Sequence, residues 1–246
     1  MRRTAPPADP APSPGAGDPL RAVARREALV FSALVLVVLG AVKHGADALA
    51  GVSVFGIELA GLLQTLAFAF ALYVPVLRIG VHGVDLRSLG VRRDGWRREG
   101  AVVLGVAALT VVVYGGGFVA WQVGFEGRSF APRVPAGFAE RALVELFVVA
   151  LSEELYFRGF LQERFARAEA GRGRWLGVPH ARAVVLAAAV FALGHFVGDY
   201  RPGRLLTFFP GLVFGWLRAR GGLLWGAVAY HAFCNLLQDL CFASVR

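Results

Sequence analysis

Residues 138–165 read FAERALVELFVVALSEELYFRGFLQERF, an apolar run that carries Glu153, Glu154 and Arg158 near its middle. A helix that spans a bilayer needs about 20 predominantly apolar residues. An ionisable side chain at the bilayer centre costs about 2.5–3.5 kcal/mol, so its presence there needs a reason. The stretch therefore predicts a membrane-spanning helix whose charged residues serve a function.

Two later apolar runs also contain polar side chains. Residues 183–199, AVVLAAAVFALGHFVGD, carry His195, and residues 222–240, GLLWGAVAYHAFCNLLQDL, carry His231 and Asn235. Counted along each helix at about 1.5 Å per residue, these side chains and Glu153 lie about 13–18 Å from the cytoplasmic end. Three helices can thus direct polar groups into one cavity inside the membrane.

The whole chain has the composition of a membrane protein. Of its 246 residues, 57% are apolar and 17% are charged, whereas soluble domains carry about 25% charged residues. We expect an all-α fold, a polytopic transmembrane helix bundle of about seven spans with a polar site between the late helices. The predicted spans lie at about 27–43, 55–77, 100–122, 139–161, 182–198, 204–218 and 222–243.

One predicted span differs from the others. The run at 204–218 is short and contains Pro210, so it is expected to be a kinked, tilted or re-entrant element.

The chain divides into a tail and a membrane domain. Residues 1–22 are rich in Pro, Ala and Gly, which predicts a disordered cytoplasmic tail, and residues 23–246 form the transmembrane helical domain. The first apolar run could also be a signal peptide, but the long tail before it favours a retained anchor.

Charge predicts the orientation and the location. Most of the 26 Lys and Arg residues lie on one side of the predicted spans, which places the N-terminus in the cytoplasm of a multi-pass protein of the inner (plasma) membrane. The net charge of +9 lies in short clusters between apolar runs without a recognised binding motif, so nucleic acid is not an expected partner.

Helical spacing assigns roles near the first run. Glu154 and Arg158 are four residues apart with the acid first, the favourable order for an intrahelical ion pair. We therefore interpret them as a supporting structural pair. Glu153 points about 100° away from Glu154 and is available for chemistry.

The other two runs show the same spacing. His231 and Asn235 share one helix face, and Phe191 lies one turn from His195, where it is expected to form a packing wall beside the imidazole. Taken singly, each histidine could equally bond a neighbouring helix, and Asn235 could be helix glue. For Glu145, Gln64 and Glu58, packing or a cavity rim is the default interpretation.

Three short motifs together resemble a known family. SEELYFRG, FALGH and HAFCN resemble the Glu-Glu-x3-Arg, Phe-x3-His and His-x3-Asn signatures of the CPBP family, which includes CAAX prenyl endopeptidases and bacteriocin-processing or immunity proteins. The order and spacing fit, and the resemblance covers a catalytic core at about 139–240. Each motif alone is weak, but three in order form a strong signal.

The resemblance implies a glutamic-type intramembrane endopeptidase. Glu153 and His195 would position and deprotonate a water molecule, and His231 with Asn235 would stabilise the tetrahedral oxyanion. No cofactor is expected. The alternative is Zn²⁺ held by Glu153, His195 and His231, although the chain lacks the HExxH zinc motif.

The expected partners are the lipid bilayer and a membrane-anchored protein or peptide substrate. Two other functions stay open. One is a non-hydrolytic bacteriocin self-immunity or membrane scaffold protein. The other is a proton-coupled transporter that uses the same buried acids and histidines, which the lack of an internal repeat disfavours.

Overall fold

The computed structural model describes residues 18–82, 87–91, 95–169 and 174–246. Within these ranges the chain forms seven long helical segments, in agreement with the expected all-α class. They are α1 (Pro19–Ala48), α2 (Leu59–His82), α3 (Trp96–Gly124), α4 (138–169), α5 (Ala181–Val197), α6 (Phe208–Gly221) and α7 (Leu224–Ala243). Strands β1 (Ser53–Val54) and β2 (Ile57–Glu58) form one short antiparallel hairpin, and β3 (Arg174–Trp175) and β4 (Val178–Pro179) form another.

The start of α1 corrects the boundary of the predicted tail. The Asp18 carboxylate accepts a hydrogen bond from the Leu20 backbone N–H at 3.0 Å, and Pro19 occupies the first helical position, where no N–H is needed. Helix α1 therefore includes residues 19–22, which the sequence assigned to the tail. Residues 1–17 of that tail lie outside the described residues.

The run that contains Pro210 changes helix type before the proline, and whether it is kinked, tilted or re-entrant stays a prediction. A 3₁₀ turn, Pro202–Thr207, leads directly into α6, which begins at Phe208. Pro210 thus lies in the first turn of the helix, where a missing N–H breaks no hydrogen bond. Helix α6 ends at Gly222, whose φ of 67° is the left-handed conformation that glycine adopts without strain.

The early helices form the outside of the bundle. By length and composition, α1, α2 and the whole of α3 could cross a membrane, and α5 is a shorter apolar helix. In the most apolar windows of α1, α2 and α3, 17%, 11% and 0% of the residues are buried, so these surfaces suit contact with lipid. The seven-span count stays a prediction.

Ion pairs at both ends show that α1 and α7 run opposite to α2 and α4. Glu27, near the start of α1, pairs with Arg78 at the end of α2 and with Arg164 towards the end of α4. Arg141, at the start of α4, pairs with Asp239 near the end of α7. We call the end at which α1 begins the basic end.

Candidate active site

Helix α4 positions the two adjacent glutamates in different surroundings. They lie in a short α-helical segment, Leu151–Glu154, between the π-helical stretches Glu145–Ala150 and Leu155–Leu161. Such stretches often occur at functional sites. The Glu154 side chain is fully buried, whereas that of Glu153 is 17% exposed. The predicted divergence of the two carboxylates is thus observed.

Glu154 is the centre of a buried network. Its Oε1 accepts a hydrogen bond from the Arg158 guanidinium at 3.0 Å and lies 2.8 Å from His231 Nδ1. A second Arg158 nitrogen donates to the Gly211 carbonyl at 3.1 Å. The guanidinium carbon lies 4.2 Å from the centre of the Phe191 ring, within the range of a cation–π contact. This network links α4 to α6 and α7.

The network fixes the orientation of His231. Because a carboxylate oxygen accepts, Nδ1–H donates to Glu154, and the imidazole stacks on Phe214 with ring centres 4.6 Å apart. The other ring nitrogen, Nε2, lies 3.9 Å from Glu153 Oε2. His231 therefore lies between the two carboxylates, bound to one and directed towards the other.

His195 is oriented by its own helix. Its Nδ1 lies 3.0 Å from the Phe191 carbonyl oxygen, and the two rings are 4.4 Å apart. A carbonyl only accepts, so Nδ1–H donates, and in the neutral ring Nε2 keeps its lone pair. The structure thus places Phe191 beside the imidazole, as the spacing predicted.

Glu153 and His195 line the same cavity, of about 560 Å³, between α1, α2, α4 and α5. Its walls are mostly apolar. Gln64 is among the lining side chains, and a position at a cavity rim was one of the two roles expected for it. Glu153 Oε2 is buried, 3.9 Å from His231 Nε2, and has no hydrogen-bond donor among the described residues, while the side chain as a whole is 17% exposed. The cavity therefore presents a partly exposed glutamate side chain and a histidine.

Five charged residues line one end of this cavity, and we call them the cavity mouth: Lys43, Asp47, Asp199, Arg201 and Arg204. Arg201 and Arg204 both donate to Asp199 Oδ2, at 2.6–2.8 Å. These hydrogen bonds, with the Arg201 contribution larger, lower the pKa of Asp199 from 3.8 to about 2. The cavity mouth lies opposite the basic end, where α1 ends and α5 has just ended.

Asn235 lies one helical turn beyond His231 and has a partner that the sequence did not predict. Its Nδ2 donates to Glu145 Oε2 at 2.8 Å, and the other oxygen of Glu145 lies 3.6 Å from Arg141. Glu145 lies eight residues before Glu153 on α4, about 12 Å along the axis and about 80° around it. Helical spacing alone therefore gave no signal for this pair.

The described residues do not support the zinc alternative. Among them, no group of three or more His, Cys, Asp or Glu side chains could hold a metal ion. Glu153 and His231 approach each other, while Glu153 and His195 share the cavity wall. The three candidate ligands thus form no metal-binding group among the described residues, and the metal content stays a prediction.

A comparison with known families matches residues 135–237 to the model of the Rce1-like family, described as type II CAAX prenyl endopeptidase Rce1-like. No curated protein and no solved structure matches the chain significantly. The matched range contains all four predicted catalytic side chains, and it confirms the resemblance to the CPBP family over this part of the chain. Together with the apolar helices, it indicates a membrane protein related to peptidases.

Proposed function

Starting from the Rce1-like domain at residues 135–237, we propose that the protein is an intramembrane endopeptidase. It hydrolyses a peptide bond in a membrane-associated protein or peptide. Glu153 and His195 activate the attacking water, and His231 with Asn235 stabilises the oxyanion.

The observation that supports the proposal is the placement of Glu153, whose partly exposed side chain lines the cavity that also contains His195. A water molecule in this cavity can bond to Glu153 and to the His195 lone pair. As the water oxygen attacks the carbonyl carbon, its proton passes to Glu153, which then protonates the leaving amine as the C–N bond breaks.

His231 supplies a positioned group on the other side of Glu153. Glu154 holds its Nδ1–H, as the buried aspartate of a serine protease holds its histidine, and Arg158 holds Glu154. In the doubly protonated ring, Nε2–H would also be available to donate to the reacting carbonyl oxygen. Asn235 uses one amide N–H for Glu145 and has a second for the oxyanion.

The substrate is expected to arrive from one particular side of the membrane. The basic end carries the arginines near the starts of α1 and α5 and the ends of α2 and α4, so it is the cytoplasmic end, with the N-terminus inside. Since the cavity mouth lies at the other end, the substrate reaches Glu153 from the exported side of the membrane.

A comparison of matched variants tests the activity. The purified protein is reconstituted in liposomes and incubated with membrane-anchored tail peptides, and products are identified by mass spectrometry. Glu153→Gln should abolish cleavage, whereas Glu140→Gln, at an exposed position on the same helix, should retain it. Equal cleavage by both variants would exclude Glu153 as the base.

The same variants separate the other proposals. Binding or protection that survives Glu153→Gln, with no cleavage by the wild type, would instead support a non-hydrolytic partner protein. Trace-metal analysis of active protein tests the zinc alternative, because stoichiometric zinc together with loss of activity on chelation would contradict the metal-free scheme.

A further inference from the structure

A second pocket, of about 530 Å³, lies at the basic end, away from the catalytic cavity. It is formed by the start of α1, the end of α4 and the start of α5. Arg21, Arg25 and Arg182 line it, together with apolar side chains that include Leu29 and Leu186. We call these five residues and Glu169 the basic pocket.

Charged and apolar side chains follow the same order on two helices of the basic pocket. On α1, Leu29 lies four residues after Arg25, and on α5, Leu186 lies four residues after Arg182. Residues four apart share a helix face and are about 6 Å apart along the axis. Both helices begin at the basic end, so each presents an arginine first and a leucine one turn deeper.

The leucines of this pocket are open to the surroundings of the bundle. Leu29 is 58% exposed and Leu186 is 36% exposed. In a membrane protein such side chains contact acyl chains, while the arginines one turn nearer the end reach the level of the headgroups. From the basic end inwards, an arginine is followed by a leucine, which matches the order of headgroup and acyl chain in a phospholipid.

The charges of the basic pocket favour an anion. Arg182 lies 3.5 Å from Glu169 and Arg21 lies 3.3 Å from Asp18, whereas Arg25 forms no ion pair with any other described residue. The pocket thus combines three arginines with one carboxylate, Glu169, and has surplus positive charge.

From this arrangement we propose that the basic pocket binds an anionic phospholipid of the phosphatidylglycerol type. The phosphate contacts Arg25 and Arg182, and an acyl chain lies along Leu29 and Leu186. The site is independent of the proposed peptidase activity.

Lipid binding by the full-length protein in detergent tests this proposal by native mass spectrometry. The probes are phosphatidylglycerol, phosphatidylethanolamine and phosphatidylcholine with identical acyl chains, and glycerol 3-phosphate as a headgroup without chains. An arginine near an anionic membrane surface contributes about 1 kcal/mol, which is about a fivefold change in affinity. Arg25→Gln and Arg182→Gln should each weaken phosphatidylglycerol binding about fivefold.

Two further variants serve as a control for surface charge and as a test of the acyl-chain contact. Arg26→Gln removes an exposed arginine of the same helix that does not line the pocket, so it should leave the affinity unchanged. Leu29→Asn, at an exposed position, should weaken phosphatidylglycerol binding while leaving the charge of the pocket intact.

Several results would overturn the proposal. If Arg26→Gln weakens binding as much as Arg25→Gln, the attraction is general surface charge. Equal affinity for phosphatidylethanolamine or phosphatidylcholine would refute anion selectivity. Equal affinity for glycerol 3-phosphate, or an unchanged affinity in Leu29→Asn, would refute a lipid as the occupant.

Discussion

Replacing Arg158 with Met tests whether the buried network holds the late helices together. The guanidinium and the Glu154 carboxylate are both 0% exposed and 3.0 Å apart. Without Arg158, Glu154 keeps one donor, His231, and the Gly211 carbonyl loses its side-chain donor. Breaking a buried pair from one side costs about 3–5 kcal/mol, because a charge is left without compensation.

The chain offers a matched control on the same helix. Arg167 and Glu163 have the same four-residue spacing and lie 2.9 Å apart, but their side chains are 47% and 29% exposed. Exposed pairs of this kind contribute about 0.3–0.5 kcal/mol. Arg167→Met should therefore change the free energy of unfolding far less than Arg158→Met.

The free energy of unfolding of both variants is measured in mixed micelles. A denaturing detergent is the titrant, and circular dichroism is the signal. Equal losses of this free energy in Arg158→Met and Arg167→Met would refute the argument that burial makes the Arg158 pair the more important one. A double variant, Glu154→Leu with Arg158→Met, should recover much of the loss, since removing both charges leaves none uncompensated.

Three further predictions concern the site and the two ends of the bundle. Glu145→Ala should lower kcat for peptide cleavage about tenfold, since one orienting hydrogen bond to Asn235 is lost. Glu145→Gln retains an acceptor and should keep most of the activity. Equal kcat values for the wild type and Glu145→Ala would show that Glu145 does not contribute to the site. Arg204→Cys should react with a membrane-impermeant maleimide added to intact cells and Arg26→Cys should not, and the reverse result would invert the proposed orientation. The pKa of Asp199 is lowered to about 2, so its ion pairs stabilise the protein fully above pH 3.8, and this contribution is lost as pH falls through about 2. Between these two pH values, the melting temperature should fall more in the wild type than in Asp199→Asn.

The sequence predicted the helices well because hydrophobic run length is a local property. Each of the seven apolar runs lies within or largely overlaps one helical segment of the described chain. Helix starts were harder to predict, because single residues decide the boundary. Asp18 and Pro19 begin α1 early, and α6 starts only two residues before Pro210.

The site was predictable only where its residues share a helix. Four-residue spacing identified the ion pair of Glu154 with Arg158 and the contact of Phe191 with His195. Contacts between helices depend on rotation and on vertical offset, which one sequence does not specify. The bond from His231 to Glu154, and the one from Asn235 to Glu145, were missed for this reason.

The adjacent glutamates lie in different environments on one helix. Glu154 is held by Arg158 and His231 in complete burial, so its position is fixed. Glu153 is 17% exposed and borders the cavity, which fits its proposed role as the base that binds water. Two carboxylates in different environments can take different roles. Because His231 bonds to Glu154 and its Nε2 lies 3.9 Å from Glu153, Glu154 also fixes where His231 lies relative to the proposed base.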